Sequence, residues 1–446
     1  MTHEKIREYA VRALLAREGV FALKGRYDDA VKDCEYVLRI TDDKVARGYA
    51  YVRISHALER KGKLPEALEY AEKGEKEVKG IPFERARVMN WKANVLYRMG
   101  RYKSTIETVN QVLEILRTLE EGEDVLIEKS IAYNTLGSVY YGMRKLKKAA
   151  EHYNLTYRMR EKIRDLMGIG MALNNLGVVY TEMQEYEKAL ECLKKSLEIR
   201  KKLEHKHGIG SAWINIAIVY DGMGRYREAL RAAKKAEEYL KEIGDIYGLG
   251  IVYFEIGSIY ELFYRYLDAE RRYLLSYELR EKAHDLYGMF EVAIRLGELN
   301  LSMRKKEGVE RWMGVAKKML ENMEWKTPEV DLRILKGKYS LVYGDANEGL
   351  GILKEVIDDL DKDDTEDMVR IINVFIFLLS RGYFIPEMER IKEMEKEEIK
   401  NAEVRRKMYI LLYLFYRERD GKKAKKYREE AKRLSENAGV PFQLTG

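Results

Sequence analysis

The sequence is poor in residues that interrupt helices or cross-link chains. It has five prolines and two cysteines among 446 residues, and 10 phenylalanines against 33 tyrosines. So few prolines favour long uninterrupted helices, because proline lacks a backbone donor and clashes with the preceding turn. Cys34 and Cys192 are too few for a disulfide framework or a zinc site. The composition therefore predicts an all-α protein of a reducing compartment, the cytoplasm.

The sequence also lacks a segment that could cross a membrane. No apolar run approaches the roughly 18 residues that a spanning helix needs, and the charged start "MTHEKIREYAVRALLAREG" does not resemble a signal peptide. The two most apolar runs are "IINVFIFLLS" from Ile371 and "MYILLYLFY" from Met408. They predict buried helices, and we expect no membrane partner.

The charge is balanced over most of the chain. The net charge is +7 from 82 basic and 75 acidic residues, and the abundance of Lys and Glu is typical of thermophile surfaces. Residues 401–446 hold twelve Lys or Arg against six Asp or Glu, an excess of six. Because Glu429 and Glu430 interleave with these cations at helical spacing, we interpret the segment as a solvated helix face with ion pairs. The sequence predicts no nucleic-acid partner.

Motifs for catalysis or metal binding are missing. None of the six histidines has the spacing of a zinc site, and "HKH" at His205 is interpreted as a solvated turn. The stretches "GIGMALNNLG" and "GIGSAW" follow a helical pattern and lack the third glycine of a dinucleotide loop. The acidic run from Asp358 lacks the glycine and closing Glu of a calcium loop. We therefore expect no enzyme activity, no cofactor and no metal.

A forty-residue repeat dominates the middle of the chain. Five similar segments are each displaced by forty residues: LGSVY at Leu136, LGVVY at Leu176, IAIVY at Ile216, IGSIY at Ile256 and LGELN at Leu296. A period of this length is typical of stacked helix pairs. A small residue lets the two helices of a pair approach closely, and the aromatic residue fills the space beside them.

Two further sets of residues recur with the same period. A small residue follows nine positions after each Tyr or Asn, and a glycine recurs between units. These residues are Ala149, Ala189, Ala229, Ala269 and Val309, and Gly168, Gly208, Gly248 and Gly288. The small residues predict the close contact on the second helix. The glycines predict the ends of helices.

This pattern resembles the tetratricopeptide repeat, in its longer variant similar to LGN/Pins adaptors, kinesin light chains and Rap-type peptide-responsive regulators. The resemblance implies a right-handed α-solenoid of about eleven antiparallel helix pairs. Residues 121–325 carry the regular repeats, residues 1–120 divergent repeats and residues 326–446 degenerate ones, all in one continuous solenoid. Terminal repeats need a polar cap or a partner, so homo-oligomers through these repeats are a further expectation.

The resemblance also places residues on the concave groove of the solenoid. In the family, the fifth and sixth positions of the first helix tend to face this groove, and Asn134, Asn175 and Asn215 recur there once per repeat. Their amides can donate to and accept from the backbone of an extended peptide. The residues predicted to line the groove are Asn134, Asn174, Asn175, Asn215, Ser138, Val178, Glu182, Ile218, Glu255, Ser258 and Arg295.

Two interpretations of the asparagines remain open at this point. They either contact a bound segment or hydrogen-bond one another and hold the repeats in register. At the equivalent later positions, Glu255 and Arg295 replace the amides, and this change could fix the direction of a bound segment or be variation on a solvated surface.

The predicted function is a non-enzymatic scaffold that binds a peptide or protein segment in the groove. The alternative is a peptide-sensing regulator whose superhelix changes shape and controls a partner protein or DNA. Rap-type regulators add an amino-terminal effector domain, whereas repeat-like sequence begins here almost at once, which disfavours the alternative. A third interpretation, nucleic-acid binding, requires a Lys/Arg stripe where the central repeats present Asn, Ile, Ser and Glu.

Overall fold

The computed structural model describes residues 3–23, 26–321, 327–361, 364–395 and 399–442. Over these ranges it has 22 α-helices, one 3₁₀ helix and no strand. The chain divides into two units, unit 1 at residues 1–183 and unit 2 at residues 184–446. The predicted all-α fold class is confirmed. The repeat boundaries predicted near residues 120 and 325 stay predictions.

Unit 1 contains nine helices over its described residues. They are α1 (His3–Leu23), α2 (Tyr27–Ile40), α3 (Lys44–Arg60), α4 (Leu64–Glu77), α5 (Pro82–Arg98), α6 (Tyr102–Arg117), α7 (Glu123–Gly142), α8 (Leu146–Lys162) and α9 (Leu166–Glu182). Helices α1 and α2, α3 and α4, α5 and α6, and α7 and α8 pack as consecutive pairs. We call the earlier helix of each pair the first helix and the later one the second helix.

Unit 2 continues this arrangement and then departs from it. Its helices are α10 (Tyr186–Lys202), α11 (Lys206–Gly222), α12 (Tyr226–Ile243), α13 (Ile246–Leu262), α14 (Tyr266–Lys282), α15 (Leu286–Ser302), α16 (Lys306–Leu320), α17 (Thr327–Tyr343), α18 (Ala346–Asp359), α19 (Thr365–Ser380), α20 (Ile391–Met394), α21 (Ala402–Tyr416) and α22 (Gly421–Ala438), with the 3₁₀ helix at Pro386–Arg390. Consecutive pairs run from α11 to α18, and α21 pairs with α22. Helix α19 packs against α21.

Helices of the regular repeats end at residues in the left-handed backbone region, spaced by twenty positions. These residues are Arg144, Arg164, Gln184, Glu204, Gly224, Gly244, Tyr264, His284 and Arg304. At Arg164 the turn is closed because the next amide, that of Asp165, donates to the carbonyl of Arg160 at 2.9 Å. Most of these positions are not glycine, so the sequence does not mark them as helix ends.

The recurring glycines have a different position from the predicted one. Gly168 and Gly288 lie in the first turn of α9 and α15, where their amides donate to the capping carboxylates of Asp165 and Asp285 at 3.0 Å. A Cβ at Gly288 would collide with Asp285 and with the Arg280 side chain of the preceding helix. The prediction that these glycines end helices is therefore wrong. They leave room for the cap of the next helix.

The close contact predicted within each pair is present. A Cβ built at Gly257 on α13 would lie 2.7 Å from the ring of Tyr273 on α14, and Tyr273 is completely buried. Gly137 on α7 has the same relation to Tyr153 on α8, again at 2.7 Å. The recurring small residues of the second helices, such as Ala269, are also completely buried. These contacts are what the repeat pattern predicts.

The two apolar runs form packed helices, as predicted. Residues from Ile371 lie in α19 and residues from Met408 lie in α21, and both helices contribute to one core cluster of unit 2. Phe375 and Phe415 are completely buried in this cluster. None of the helices described has the length and hydrophobicity of a membrane span.

Candidate functional site

We call the face that the first helices form the inner face. On the inner face of unit 1, a cavity of about 330 Å³ lies between the first helices α3, α5 and α7. We call it the unit 1 cavity. Its apolar wall includes Tyr49 and Val52 from α3, Trp91 from α5 and Ile131 from α7. Its volume is in the range of pockets that bind ligand side chains and small molecules. The first helices therefore enclose a mostly apolar space that is open to a ligand.

Hydrogen bonds and ring contacts hold the Trp91 side chain of the unit 1 cavity in place. The indole N–H of Trp91 donates to Oγ of Ser55 at 2.8 Å, and that hydroxyl donates to the carbonyl of Ala67 at 2.6 Å. The ring of His56 lies edge-on to Trp91, with 5.1 Å between the ring centres. Since these partners hold the indole in place, the wall is preorganised and need not be ordered by a ligand.

Charged groups line one part of the same cavity. Arg87 lies 3.2 Å from a carboxylate oxygen of Glu84 and 3.4 Å from one of Glu128, and its guanidinium covers the ring of Tyr49. Burial raises the pKa of both Glu84 and Glu128 above the ordinary value. This cluster gives the cavity a polar part that differs from its apolar wall.

Amide side chains complete the unit 1 cavity. Asn90, Asn94 and Asn134 line it. Nδ2 of Asn90 donates to the Glu128 carboxylate at 2.7 Å and to the Glu128 carbonyl at 3.0 Å, so Asn90 joins α5 to α7. It is 3% exposed, which gives it a positioning role. Asn94 and Asn134 are half-buried and face the cavity.

Asn134 and Asn175 form a direct amide pair. Nδ2 of Asn175 donates to Oδ1 of Asn134 at 3.0 Å. Asn134 is one position earlier in its repeat than Asn175, since the residue forty positions after it is Asn174. The pair leaves Nδ2 of Asn134 and Oδ1 of Asn175 without a hydrogen-bond partner among the described residues. One donor therefore remains on Asn134, which lines the unit 1 cavity, and one acceptor on Asn175, which is bonded to Asn134 but does not itself line the cavity.

The other groove residues predicted in unit 1 are placed differently. Asn174 is buried, at 9% exposure. Oγ of Ser138 is bonded to the Tyr153 hydroxyl at 3.0 Å, and the exposed Glu182 forms an ion pair with Arg144 at 3.2 Å. Val178 is half-buried. None of these four lines the unit 1 cavity.

Sequence reasoning did not identify Asn90, Asn94 and Trp91. Asn90 lies 44 residues before Asn134, so the forty-residue period does not align these two asparagines. A longer connection between α6 and α7, which holds "TLEEG" at residues 118–122, and a longer helix α7 together account for the shift. Aligning the "RMGRY" and "GMRKL" segments that end the two first helices would have revealed the equivalence.

In unit 2 the corresponding inner face is covered by the chain's own carboxy-terminal helices. Tyr226 on α12 donates to a carboxylate oxygen of Glu403 on α21 at 2.8 Å, and the Asn401 amide donates to the Gln184 side chain at 3.0 Å. Val440 joins a core cluster with Ile259 of α13. Helices α21 and α22 therefore return to the earlier repeats of unit 2 and cover part of their inner face.

The groove residues predicted in unit 2 lie around this covered face. Ser258 and Arg295 line a cavity of about 300 Å³ whose opposite wall is α21. Asn215, Ile218 and Glu255 are half-buried and do not line that cavity. Because α21 occupies this side of unit 2, unit 1 offers the more open surface for a partner.

Two acidic groups of unit 2 have raised pKa values. The pKa of Glu255 is raised to about 8, chiefly by burial and also by the neighbouring Asp221 and Glu291, while Arg280 and Arg295 act in the opposite direction. Burial likewise raises the pKa of Asp221 to about 7. A raised carboxyl pKa means that folding favours the protonated form. The contribution of the protonated carboxyl to the free energy of unfolding is therefore fully present below its ordinary pKa. It is lost as the pH rises towards the pKa that the carboxyl has in the folded state.

We therefore expect the Glu255→Gln variant to change how stability depends on pH. Between pH 5 and pH 9, unit 2 of the unaltered protein should lose more unfolding free energy than the variant, by about 1–2 kcal/mol after allowance for solvent screening. Urea unfolding at both pH values measures this difference. The exposed Glu187→Gln variant is the control. Equal pH dependence of Glu255→Gln and the unaltered protein would contradict the expectation.

No cluster of three or more His, Cys, Asp or Glu positioned to hold a metal occurs in the parts of the chain that the structure describes. The two histidines of "HKH", His205 and His207, have ring centres 6.1 Å apart. His207 lies 3.3 Å from Asp245.

Comparisons with known proteins concern the fold. The profile of the tetratricopeptide-repeat family matches residues 84–162 and 168–242. No curated protein matches the sequence. Among solved structures, a Rap protein complexed with Competence and Sporulation Factor is 13% identical with a TM-score of 0.55, covering 89% of this chain and 99% of its own.

Two other structures are similar to the chain. The apo form of the quorum sensor NprR from B. thuringiensis is 14% identical with a TM-score of 0.52, covering 88% of this chain and 97% of its own. A STAND protein with a tetratricopeptide-repeat sensor from Pyrococcus horikoshii is 16% identical with a TM-score of 0.54, covering 72% of this chain and 48% of its own. At such identities the likeness shows the fold alone. The family profile shows that residues 84–162 and 168–242 carry tetratricopeptide repeats, and the paired helices agree with this.

Proposed function

We propose that the chain is a non-enzymatic scaffold that binds an extended peptide or protein segment on the inner face of unit 1. The observation that carries this proposal is the unit 1 cavity, in which three successive first helices combine an apolar wall with amide side chains. Apolar pockets with a few converging polar groups are the usual form of a ligand site.

The cavity offers different contacts to the two parts of a peptide. Nδ2 of Asn134 and Oδ1 of Asn175 can bond a carbonyl and an amide of an extended backbone. The wall formed by Trp91 and Tyr49 suits an apolar side chain. The charged cluster around Arg87 would fix the direction in which the segment lies.

The structural likeness supports a ligand-binding role by analogy. The similar Rap structure contains Competence and Sporulation Factor, and NprR is a quorum sensor. Function does not follow from fold, so this likeness only adds to the argument from the cavity.

A second candidate function is a peptide-sensing regulator whose shape changes on binding. The observation that favours it is the extent of the likeness, since the Rap and NprR structures cover 89% and 88% of this chain. Small-angle scattering with and without a bound peptide distinguishes the two functions. A regulator should change its radius of gyration on binding, whereas a rigid scaffold should keep it.

The scaffold is tested by removing the amide pair. A peptide selected from a display library against the full chain should bind Asn134→Ala or Asn175→Ala about fivefold more weakly, because one hydrogen bond is worth about 1 kcal/mol. The double variant need not lose the sum of both effects, since the two amides bond each other. The exposed Asn110→Ala on α6 is the matched control. Titration calorimetry gives the affinities.

Melting curves of the same variants distinguish amides that contact the peptide from amides that only hold neighbouring helices in register. If the amides contact the peptide, affinity should fall while the melting temperature hardly changes. A lower melting temperature with undiminished affinity per folded molecule would mean that the pair only holds α7 and α9 in register. That result would contradict the peptide-contact role of Asn134 and Asn175.

A further inference from the structure

A second and larger cavity lies inside unit 2, between helices α15, α17, α19 and α21. Its volume is about 590 Å³, and we call it the large unit 2 cavity. Ser302, Lys338, Asn373 and Lys407 each line it, one from each of these four helices. Lys407 of α21 is part of its wall, so this carboxy-terminal helix contributes a cation to the cavity. The size of the cavity suits a small molecule.

Cations outnumber anions on the wall of this cavity. The wall contains the cations Arg295, Arg304, Lys338, Arg381 and Lys407 and the anions Glu261 and Glu298. Glu298 neutralises two of the cations, since its carboxylate lies 3.3 Å from the Arg295 guanidinium and 2.8 Å from the Lys338 ammonium. Glu261 accepts a hydrogen bond from Tyr273 at 2.8 Å. Three cations therefore have no close carboxylate on the wall.

Lys407 is the first of these three cations. Its nearest carboxylate is that of Glu403, at 3.9 Å. That carboxylate is already bonded twice by Arg406, at 2.8 and 2.9 Å, and once by Tyr226. Burial lowers the pKa of Lys407, and nearby Arg295 and Arg406 lower it further, while Glu403 and Glu261 oppose this. The local charge of this half-buried ammonium is thus incompletely balanced.

Arg304 and Arg381 are the other two cations of the wall that have no close carboxylate. Arg381 donates to the Phe377 carbonyl at 3.4 Å and to Oγ of Ser380 at 3.3 Å, and its guanidinium lies 3.9 Å from the centre of the Phe377 ring. None of these partners carries a negative charge. Both arginine side chains are exposed at the edge of the cavity. Partial burial lowers the pKa of Arg381, and the positive charge of Arg304 lowers it further. An anion between them would reduce the repulsion between these two positive charges.

Neutral hydrogen-bonding groups lie beside the three cations. Asn373, Ser302 and Ser380 line the cavity, and so does Tyr343. The Tyr343 hydroxyl is buried and has no hydrogen-bond partner among the described residues. Leaving a buried hydroxyl unpaired is unfavourable, so this group also favours a polar ligand.

We propose that the large unit 2 cavity binds a small anion bearing phosphate or carboxylate groups, held by Lys407, Arg381 and Arg304. Charge-assisted hydrogen bonds from guanidinium and ammonium groups are the strongest that a protein offers to such ligands. This site is separate from the peptide site of unit 1 and does not depend on it.

Titration calorimetry on the full chain tests the proposal, with pyrophosphate and citrate as probes at matched ionic strength. At least one of the two should bind saturably at a single site, with a Kd below about 1 mM. Arg381→Gln and Lys407→Gln should each weaken that binding about tenfold, the loss expected for one charge-assisted bond. The exposed Lys425→Gln on α22 is the matched control and should bind like the unaltered protein.

The pattern of binding identifies the chemistry of the ligand. Binding of pyrophosphate alone assigns the site to phosphates, and binding of citrate alone assigns it to carboxylates. If Lys407→Gln unfolds, Arg381→Gln decides, because Arg381 is exposed and tolerates replacement. Absence of saturable binding by both probes would overturn the proposal. Binding that Arg381→Gln leaves unchanged, or that Lys425→Gln weakens equally, would overturn it too.

Discussion

Deleting residues 399–446 should destabilise unit 2 more than any single substitution. The deletion removes α21 and α22 and uncovers the core face of α19, where Ile372, Phe375 and Leu378 are completely buried. Exposing a buried side chain of this size costs roughly 1.5–3 kcal/mol. The three residues together therefore predict a loss of about 5 kcal/mol or more. The deletion also removes the hydrogen bond between Tyr226 and Glu403.

Thermal melting followed by circular dichroism measures this effect, and sedimentation reports association through the uncovered face. A chain that ends at residue 442 is the control, because it keeps both helices. It should melt like the unaltered protein. A deletion variant that stays monomeric and keeps the melting temperature would show that α21 and α22 are not part of the unit 2 core.

Replacing Gly257 by Leu should produce the largest effect of any single substitution considered. A Cβ at this position would lie 2.7 Å from the ring of Tyr273, which is completely buried and bonded to Glu261 at 2.8 Å. The ring cannot move outwards without breaking that bond and disturbing α14. Overpacking of this kind costs about 1–3 kcal/mol, and we expect the upper end of that range.

Gly351→Leu is the matched control for Gly257→Leu. Gly351 also lies within a helix, α18, but an added Cβ there meets no atom within 4 Å. The control should be neutral or slightly stabilising, because Leu favours helix more than Gly does. Urea unfolding gives both free energies. Equal stability of the two variants would contradict the close packing of α13 and α14.

The sequence was sufficient to predict the helix pairs and their close contacts. Small residues such as Gly257 and Ala269 recur every forty positions because each pair of helices must approach in the same way. The same packing requirement in each repeat selects a small residue at the same position of each repeat. The local sequence was therefore enough to predict the fold class and the forty-residue spacing of the regular repeats.

The covering of unit 2 by α21 could not be predicted in this way. The contact between Tyr226 and Glu403 joins residues 177 positions apart and occurs once, so no periodicity reveals it. The glycines were misinterpreted for a related reason. Helix ends are marked by left-handed residues such as Arg164 and His284, which have no distinctive side chain.

The candidate site was predicted in part. The amides of Asn134 and Asn175 were selected from the repeat, and the structure brings them together at 3.0 Å. Asn94 and Trp91 were missed because a longer connection and a longer helix α7 shift their repeat by four residues. The unit 1 cavity depends on three helices at once, and its volume cannot be obtained from any one repeat.

Photo-crosslinking is the most direct test of the peptide site on unit 1. A display-selected peptide that carries a benzophenone group is bound to the full chain and irradiated, and the attached residues are identified by mass spectrometry. The proposal predicts crosslinks to the first helices α3, α5 and α7, at or beside residues such as Tyr49, Trp91 and Ile131. Crosslinks confined to the second helices α4, α6 and α8, or to unit 2, would contradict it.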